Sequence, residues 1–253
     1  MGPAHNSIHW CVMKLARWGY IASAVLLAST LAFTSCDKNK ENKEENKEEN
    51  FSYTGKWATV KVMNKEISKN STQEEVDAVV KASISLIDVL FLPGTKDEVA
   101  RKKDALKELI PAMVDFARGI TITVTEEGNA CNVTFAGLDN GASGTWKEQD
   151  GKLLLTLSKL SEDAINQLRT KAENSPKGKI SYAFAISINA SNEPFTLTKA
   201  DNGNIKWALT SDFLTKAYLT MHPNETAEAT KTLVDLFVGT KLASKDIEFK
   251  KVN

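Results

Sequence analysis

The chain has 253 residues with 32 basic and 32 acidic side chains, so it carries no net charge, and 42% of its residues are hydrophobic. That balance provides a substantial core and lacks the basic excess of a nucleic-acid-binding protein, so no nucleic-acid partner is expected. Its three cysteines and three histidines are too few and too scattered for a disulfide framework or a zinc cluster.

Chain order begins with a targeting signature. Met13, Lys14, Leu15, Ala16 and Arg17 form a basic region, Tyr20 to Phe33 is a short apolar run rich in Ala and Ser, and Thr34, Ser35 and Cys36 end it. The run is short for a membrane-spanning helix. A charged tract follows Cys36 at once, which is the layout of a bacterial lipoprotein signal, cleaved before Cys36 and lipidated on it. The alternatives are a plain secretory signal with a chance cysteine and an uncleaved anchor. Residues 1–12, ahead of the more orthodox start at Met13, read as a start-site overhang, and residues 1–35 as signal. Its removal leaves about 218 residues with two more acids than bases, enough for a single domain. Residues 36–50 then form a lipidated cysteine and a Lys/Glu/Asn tether with no apolar side chain after it, which cannot fold alone. The expected address is the cell outer membrane, with the lipid as the membrane contact.

The domain is expected over residues 51–253. A first strand spans Tyr53 to Val62, with Val60 and Val62 on one face and Trp57, Thr59 and Lys61 on the other. Ser71 or Thr72 caps a helix whose stripe is Val76, Val79, Val80, Ser83, Ile87, Leu90 and Phe91, stopped by Pro93 and Gly94. A second helix from about Asp97 to Gly119 turns Val99, Leu106, Leu109, Ile110, Met113, Phe116 and Ala117 inward, with Pro111 kinking or dividing it. From Ile120 the period becomes two, so Ile120 to Thr125 and Cys131 to Phe135 make a hairpin across Gly128 and Asn129. Asp139, Asn140 and Gly141 read as a turn, followed by a second hairpin, Ser143 to Glu148 and Lys152 to Ser158.

Ser161 to Asn174 is helical. Ile180, Tyr182, Phe184, Ile186 and Ile188 then alternate with Ser181, Ala183, Ala185 and Ser187, which predicts a long strand with one bulky face. Phe195 to Thr198 pairs with Ile205 to Leu209 across Asp201, Asn202 and Gly203. A helix capped by Ser211, a second with the stripe Ala227, Thr230, Leu233, Val234 and Phe237, and a strand at Ile247 and Phe249 complete the domain. The fold class is therefore α+β and β-rich: about eight to nine antiparallel strands in a barrel or a strongly curved sheet with inserted helices.

Gly55-Lys56-Trp57 on the first strand resembles the Gly-x-Trp opening of lipocalins. Gly144-Thr145-Trp146 with Asp150-Gly151-Lys152-Leu153, and the run Asn204 to Leu209 into Asp212, Phe213 and Leu214, resemble the lipocalin-like outer-membrane lipoproteins of Bacteroidota, families of unknown function. The resemblance implies a lipocalin-like barrel. Where lipocalins set an arginine near the last strand against the first-strand tryptophan, this chain has Lys250 and Lys251.

No catalytic constellation emerges. His222 follows a helix beside Pro223 and is the only histidine after the signal, while Cys131 alternates with Val133 and Phe135 as a buried thiol would. No enzyme activity, metal or cofactor is expected. Trp57, Phe135, Trp146, Tyr182, Phe184 and Trp207 are the candidates for lining an apolar cavity, or else for packing the core. The role expected from the sequence is a membrane-anchored lipoprotein that binds an apolar small ligand or an envelope protein partner, with a structural or assembly subunit of an envelope complex with a filled core as the first alternative and an envelope hydrolase, for which no convergent polar site is found, as the second.

Overall fold

The computed structural model describes residues 51–88, 94–191, 193–239 and 246–252. Among the described residues, alternating buried and exposed side chains produce nine strands: β1 (Gly55–Val62), β2 (Lys65–Glu66), β3 (Thr121–Val124), β4 (Ala130–Phe135), β5 (Leu138–Gln149), β6 (Lys152–Leu157), β7 (Phe195–Lys199), β8 (Ile205–Ala208) and β9 (Asp246–Val252). Eight of them close into an antiparallel barrel because β1 pairs with both β3 and β9, and the two-residue β2 folds back on the end of β1. Closure leaves those strands without a free edge.

The connections differ between the two ends of the barrel. Tight turns join β3 to β4, β5 to β6 and β7 to β8 at one end of the barrel. At the other end three helix pairs are inserted: α1 (Gln73–Asp88) and α2 (Lys96–Arg118) before β3, α3 (Glu162–Asn174) and α4 (Pro176–Ala190) before β7, and α5 (Ser211–Met221) and α6 (Ala227–Gly239) before β9. The helices are thus collected over one mouth. Reciprocal capping boxes start α1 at Thr72 with Glu75 and α2 at Thr95 with Glu98. Helix α2 is not divided at Pro111, whose neighbours Leu109, Ile110, Ala112, Met113 and Val114 are all buried. Helix α5 is capped by Thr210, one residue before the expected Ser211.

Three expectations are corrected. Residues 180–188 are not a strand but lie in α4. Ser175 caps that helix and Pro176 occupies its first turn, where a missing N–H costs nothing. The small residues that suggested an outward strand face are buried as well: Ser181, Ala183, Ala185 and Ser187 are 1%, 1%, 0% and 7% exposed. They let α4 sit closely among α2, α3 and α5, and a side chain at Gly178 would run into the carbonyl of Lys171 on α3.

The second correction concerns β1. Thr59 pairs with Phe249 and Lys61 with Glu248, so Val60 is an extra, bulged residue. The bulge resets the alternation: Trp57, Thr59 and Val62 are buried, whereas Val60 is only half-buried. Buried Thr59 donates from Oγ1 to the carbonyl of Ala117 at 2.8 Å, tying the barrel to the end of α2. The third correction is that Asp139, Asn140 and Gly141 are not a turn but lie inside β5, in an irregular stretch opposite Thr134. The Asn132 side-chain amide spans it by donating to the carbonyl of Asn140 and the hydroxyl of Ser143. The actual turn is at Ala136 and Gly137.

Several expectations fall elsewhere. The signal, Cys36 and the tether, and Leu90, Phe91 and Pro93, lie outside the described residues. On α6, Thr230 and Val234 are buried, while the side chains of Leu233 and Phe237 are outside those described.

Candidate functional site

The six aromatic candidates divide between the two ends of the barrel. Phe135 at the end of β4 and Trp207 near the end of β8 reach the helical mouth, where Phe184 of α4 stands between them. The Phe184 ring centroid lies 4.9 Å from that of Phe135, 5.4 Å from Phe116 and from Phe195, 5.5 Å from Trp207 and 5.9 Å from Phe213. Most of these contacts are edge-on, the favoured aromatic geometry. Phe116 comes from α2, Phe195 from β7 and Phe213 from α5. The mouth is stoppered by six rings drawn from six elements. Helical periodicity turns Phe116 inward, and nothing local in the sequence assigns it, Phe195 or Phe213 to a common cluster.

Trp57 and Trp146 stand apart, at the turn end. Trp57 is 1% exposed, and its indole Nε1 donates to the carbonyl of Tyr53 at 2.7 Å. The segment before β1 crosses this end: the Tyr53 hydroxyl donates to the carbonyl of Gly151 at 2.7 Å, and the Phe51 ring packs edge-on against Tyr53. Burial, and then the nearby charge of Glu148, raise the Tyr53 hydroxyl above its ordinary pKa. Lys251, opposite Trp57 in register, holds its ammonium 5.8 Å from the indole ring. A lysine therefore stands where the lipocalin pattern sets an arginine. Trp146 is half-buried and donates from Nε1 to the carbonyl of Thr125 at 2.7 Å. Tyr182, on the outer side of α4, is half-buried with the Arg169 guanidinium over its ring. These three do not join the Phe184 cluster.

The remaining reactive groups are held quietly. Cys131 is buried in β4, and burial pushes its thiol up to about 11, far from a nucleophilic thiolate. His222 ends α5 with its ring tilted against that of Tyr218, centroids 4.6 Å apart, and its Nε2 4.0 Å from a carboxylate oxygen of Glu108. The Tyr218 hydroxyl is raised to about 12, by burial first and then by the charges of Glu225 and Glu108. Among the described residues no three His, Cys, Asp or Glu side chains gather as metal ligands.

One carboxylate is both buried and fully engaged. Glu248, 5% exposed on the outer face of β9, accepts on Oε1 from the side-chain amides of Asn202 at 2.7 Å and Asn204 at 2.5 Å, with Lys61 3.8 Å from Oε2. Burial alone would raise its pKa, but the two amides and then Lys61 and Lys206 outweigh it, so the carboxyl is held below the ordinary range. This arrangement pins the β7–β8 turn to β9 and is structural.

Comparison by sequence and by fold finds no matching family, characterised protein or solved structure.

Proposed function

We propose that the chain is a lipid-anchored, non-enzymatic protein of the bacterial outer membrane, akin to the lipocalin-like lipoproteins it resembles, that recognises its partner through the outside of a stoppered barrel. The observation that carries this reading is the Phe184 cluster. A barrel that stores an apolar ligand needs an open mouth and a free interior, whereas here six rings from the protein itself meet at the mouth. Recognition is thereby directed to the exterior, where open clefts lie along the helical end. The apolar run ending at Cys36 and the charged tract after it support the lipid anchor. The raised Cys131 thiol and the terminal position of His222 support a role without covalent chemistry.

Two measurements test the reading. Membrane fractionation with intact mass should place the wild-type protein in the outer membrane with a lipid-modified Cys36, and Cys36→Ala should leave it unlipidated or unprocessed. A Cys36→Ala protein with unchanged mass and membrane partition would overturn the anchor. Titration with an environment-sensitive apolar dye should show no saturable uptake by the wild-type domain, and stoichiometric uptake would overturn the exterior-recognition reading in favour of an enclosed ligand.

A further inference from the structure

Two open clefts meet on the Ala136–Gly137 turn at the helical end. The larger, about 500 Å³, is lined by Lys69, Arg118 and Lys177 together with Asp115. The smaller, about 320 Å³, runs between the end of α3 and the start of α4, past Lys171 and Gly178 to Ser181. Ala136, Gly137 and Lys177 line both, so the two form one trough.

Charge in the trough is one-sided. Arg118 donates from Nε to Asp115 at 2.9 Å and from Nη1 to the carbonyl of Ser71 at 3.2 Å. Lys171 donates to the neutral carbonyl of Gly137 at 3.0 Å, and Lys69 and Lys177 have no ion-pair partner among the described residues. Four cations therefore face one carboxylate, in a chain whose acidic and basic totals are equal. The end of α3 and the start of α4 both border the smaller cleft, so their dipoles oppose one another there and the excess positive charge is that of the side chains.

A separate observation lies at the other end of the trough. Ser181 is 1% exposed, lines the smaller cleft, and has a buried Oγ without a hydrogen-bond partner. Ser187, further along α4, donates to the carbonyl four residues back, as Ser83 does on α1. Ser181 makes no such bond; the hydroxyls of Thr215 and Thr230 are likewise buried without a partner, but of the three only Ser181 lines the trough. A buried hydroxyl left without a partner is rare in a settled core and points to an absent acceptor or donor.

We infer that the trough binds a phosphate-bearing ligand, with the phosphate among Lys69, Arg118 and Lys177 and an oxygenated arm reaching Ser181. Several cations spread around one cleft match a multiply charged anion better than a single carboxylate, which would leave charge uncompensated. The site goes beyond the reading of exterior recognition by naming the chemistry recognised, and it does not depend on the lipid anchor. The phosphate could belong to a soluble organic phosphate or to a lipid headgroup.

The test is calorimetric titration of the full chain in a neutral detergent with inorganic phosphate, glycerol 3-phosphate and dihexanoyl phosphatidic acid, with dihexanoyl phosphatidylcholine as the zwitterionic control. Saturable binding of the phosphate monoesters is expected, weakening roughly tenfold in Lys69→Glu/Lys177→Glu and steeply with salt. Lys177→Gln should weaken it in the same sense, with less demand on the fold. Ser181→Ala should weaken glycerol 3-phosphate while sparing inorganic phosphate. Preference for glycerol 3-phosphate would assign the site to soluble phosphates and preference for phosphatidic acid to a headgroup, and either supports the site. Absence of saturable binding by all three, or binding unchanged in a folded Lys69→Glu/Lys177→Glu protein, would overturn it. That failure would leave the exterior-recognition reading standing, because fractionation and dye uptake test it separately.

Discussion

Phe184→Ala is the most exposed test of the barrel's architecture. The ring is 2% exposed and meets five other aromatic rings at centroid distances of 4.9 to 5.9 Å. A buried aromatic side chain removes roughly 150–250 Å² from water, which at about 25 cal/mol per Å² corresponds to about 4–6 kcal/mol. Alanine keeps part of that area, and the five surrounding rings come from five different elements that cannot all collapse inward. A loss of about 4 kcal/mol is expected, within the range of roughly 3–5 kcal/mol measured for Phe truncations. That is a large share of the stability of roughly 5–15 kcal/mol typical of a folded domain. Urea unfolding followed by tryptophan fluorescence would report it, with Phe184→Leu as a milder control costing less than about 1.5 kcal/mol. The vacated mouth should also admit the apolar dye that the wild-type domain excludes. A loss below about 1 kcal/mol, with dye exclusion intact, would show that Phe184 does not stopper the barrel.

Ala185→Glu separates the helical from the strand arrangement of this segment: residue 185 is 0% exposed on α4, so a buried charge should prevent folding, whereas Ala190→Glu at the exposed end of the same helix should be tolerated, as circular dichroism and expression yield would reveal. Glu248 has a folded-state pKa below its unfolded value, so the stability it contributes is present above the ordinary glutamate value near 4.3 and is lost as pH falls through the lowered folded value. Acid unfolding of Glu248→Gln should therefore lack part of the stability decline that the wild-type domain shows below about pH 5, and superimposable pH profiles would contradict the role given to Asn202 and Asn204.

Legibility in the sequence followed the range of the interaction responsible. Hairpins announced by local turn chemistry, such as those at Asp150-Gly151 and at Asp201–Gly203, are legible where they occur, because both strands and their turn lie within a few residues. Helices α1 and α2 are equally plain, since each contains its own apolar stripe, although the stripe does not single out the Thr95 cap of α2. Residues 180–188 are not plain. Bulky and small side chains at alternate positions satisfy a strand, and also satisfy a helix that is buried nearly all round, where small residues face neighbouring helices. Ser175-Pro176 was the local sign that favoured the helix. The bulge at Val60 and the irregular stretch opposite Thr134 left no local mark, because each is defined by what the partner strand omits. For the site, individual rings were legible as candidates, but the grouping of Phe135, Phe184 and Trp207, and the separation of Trp57, Trp146 and Tyr182, arise from barrel closure.

The pairing of β1 with β9 has a consequence for how the chain reaches its final state. Lys56 lies opposite Val252, so the first strand of the barrel is sealed by the one synthesised last. Until β9 arrives, β1 and β8 each present a row of unsatisfied backbone groups, and the loop to be closed spans almost the whole domain. A nascent chain can form hairpins and helix pairs early, but it cannot lock. Such delayed locking predicts slow, closure-limited refolding from denaturant, with the hairpins and helix pairs forming before the barrel closes.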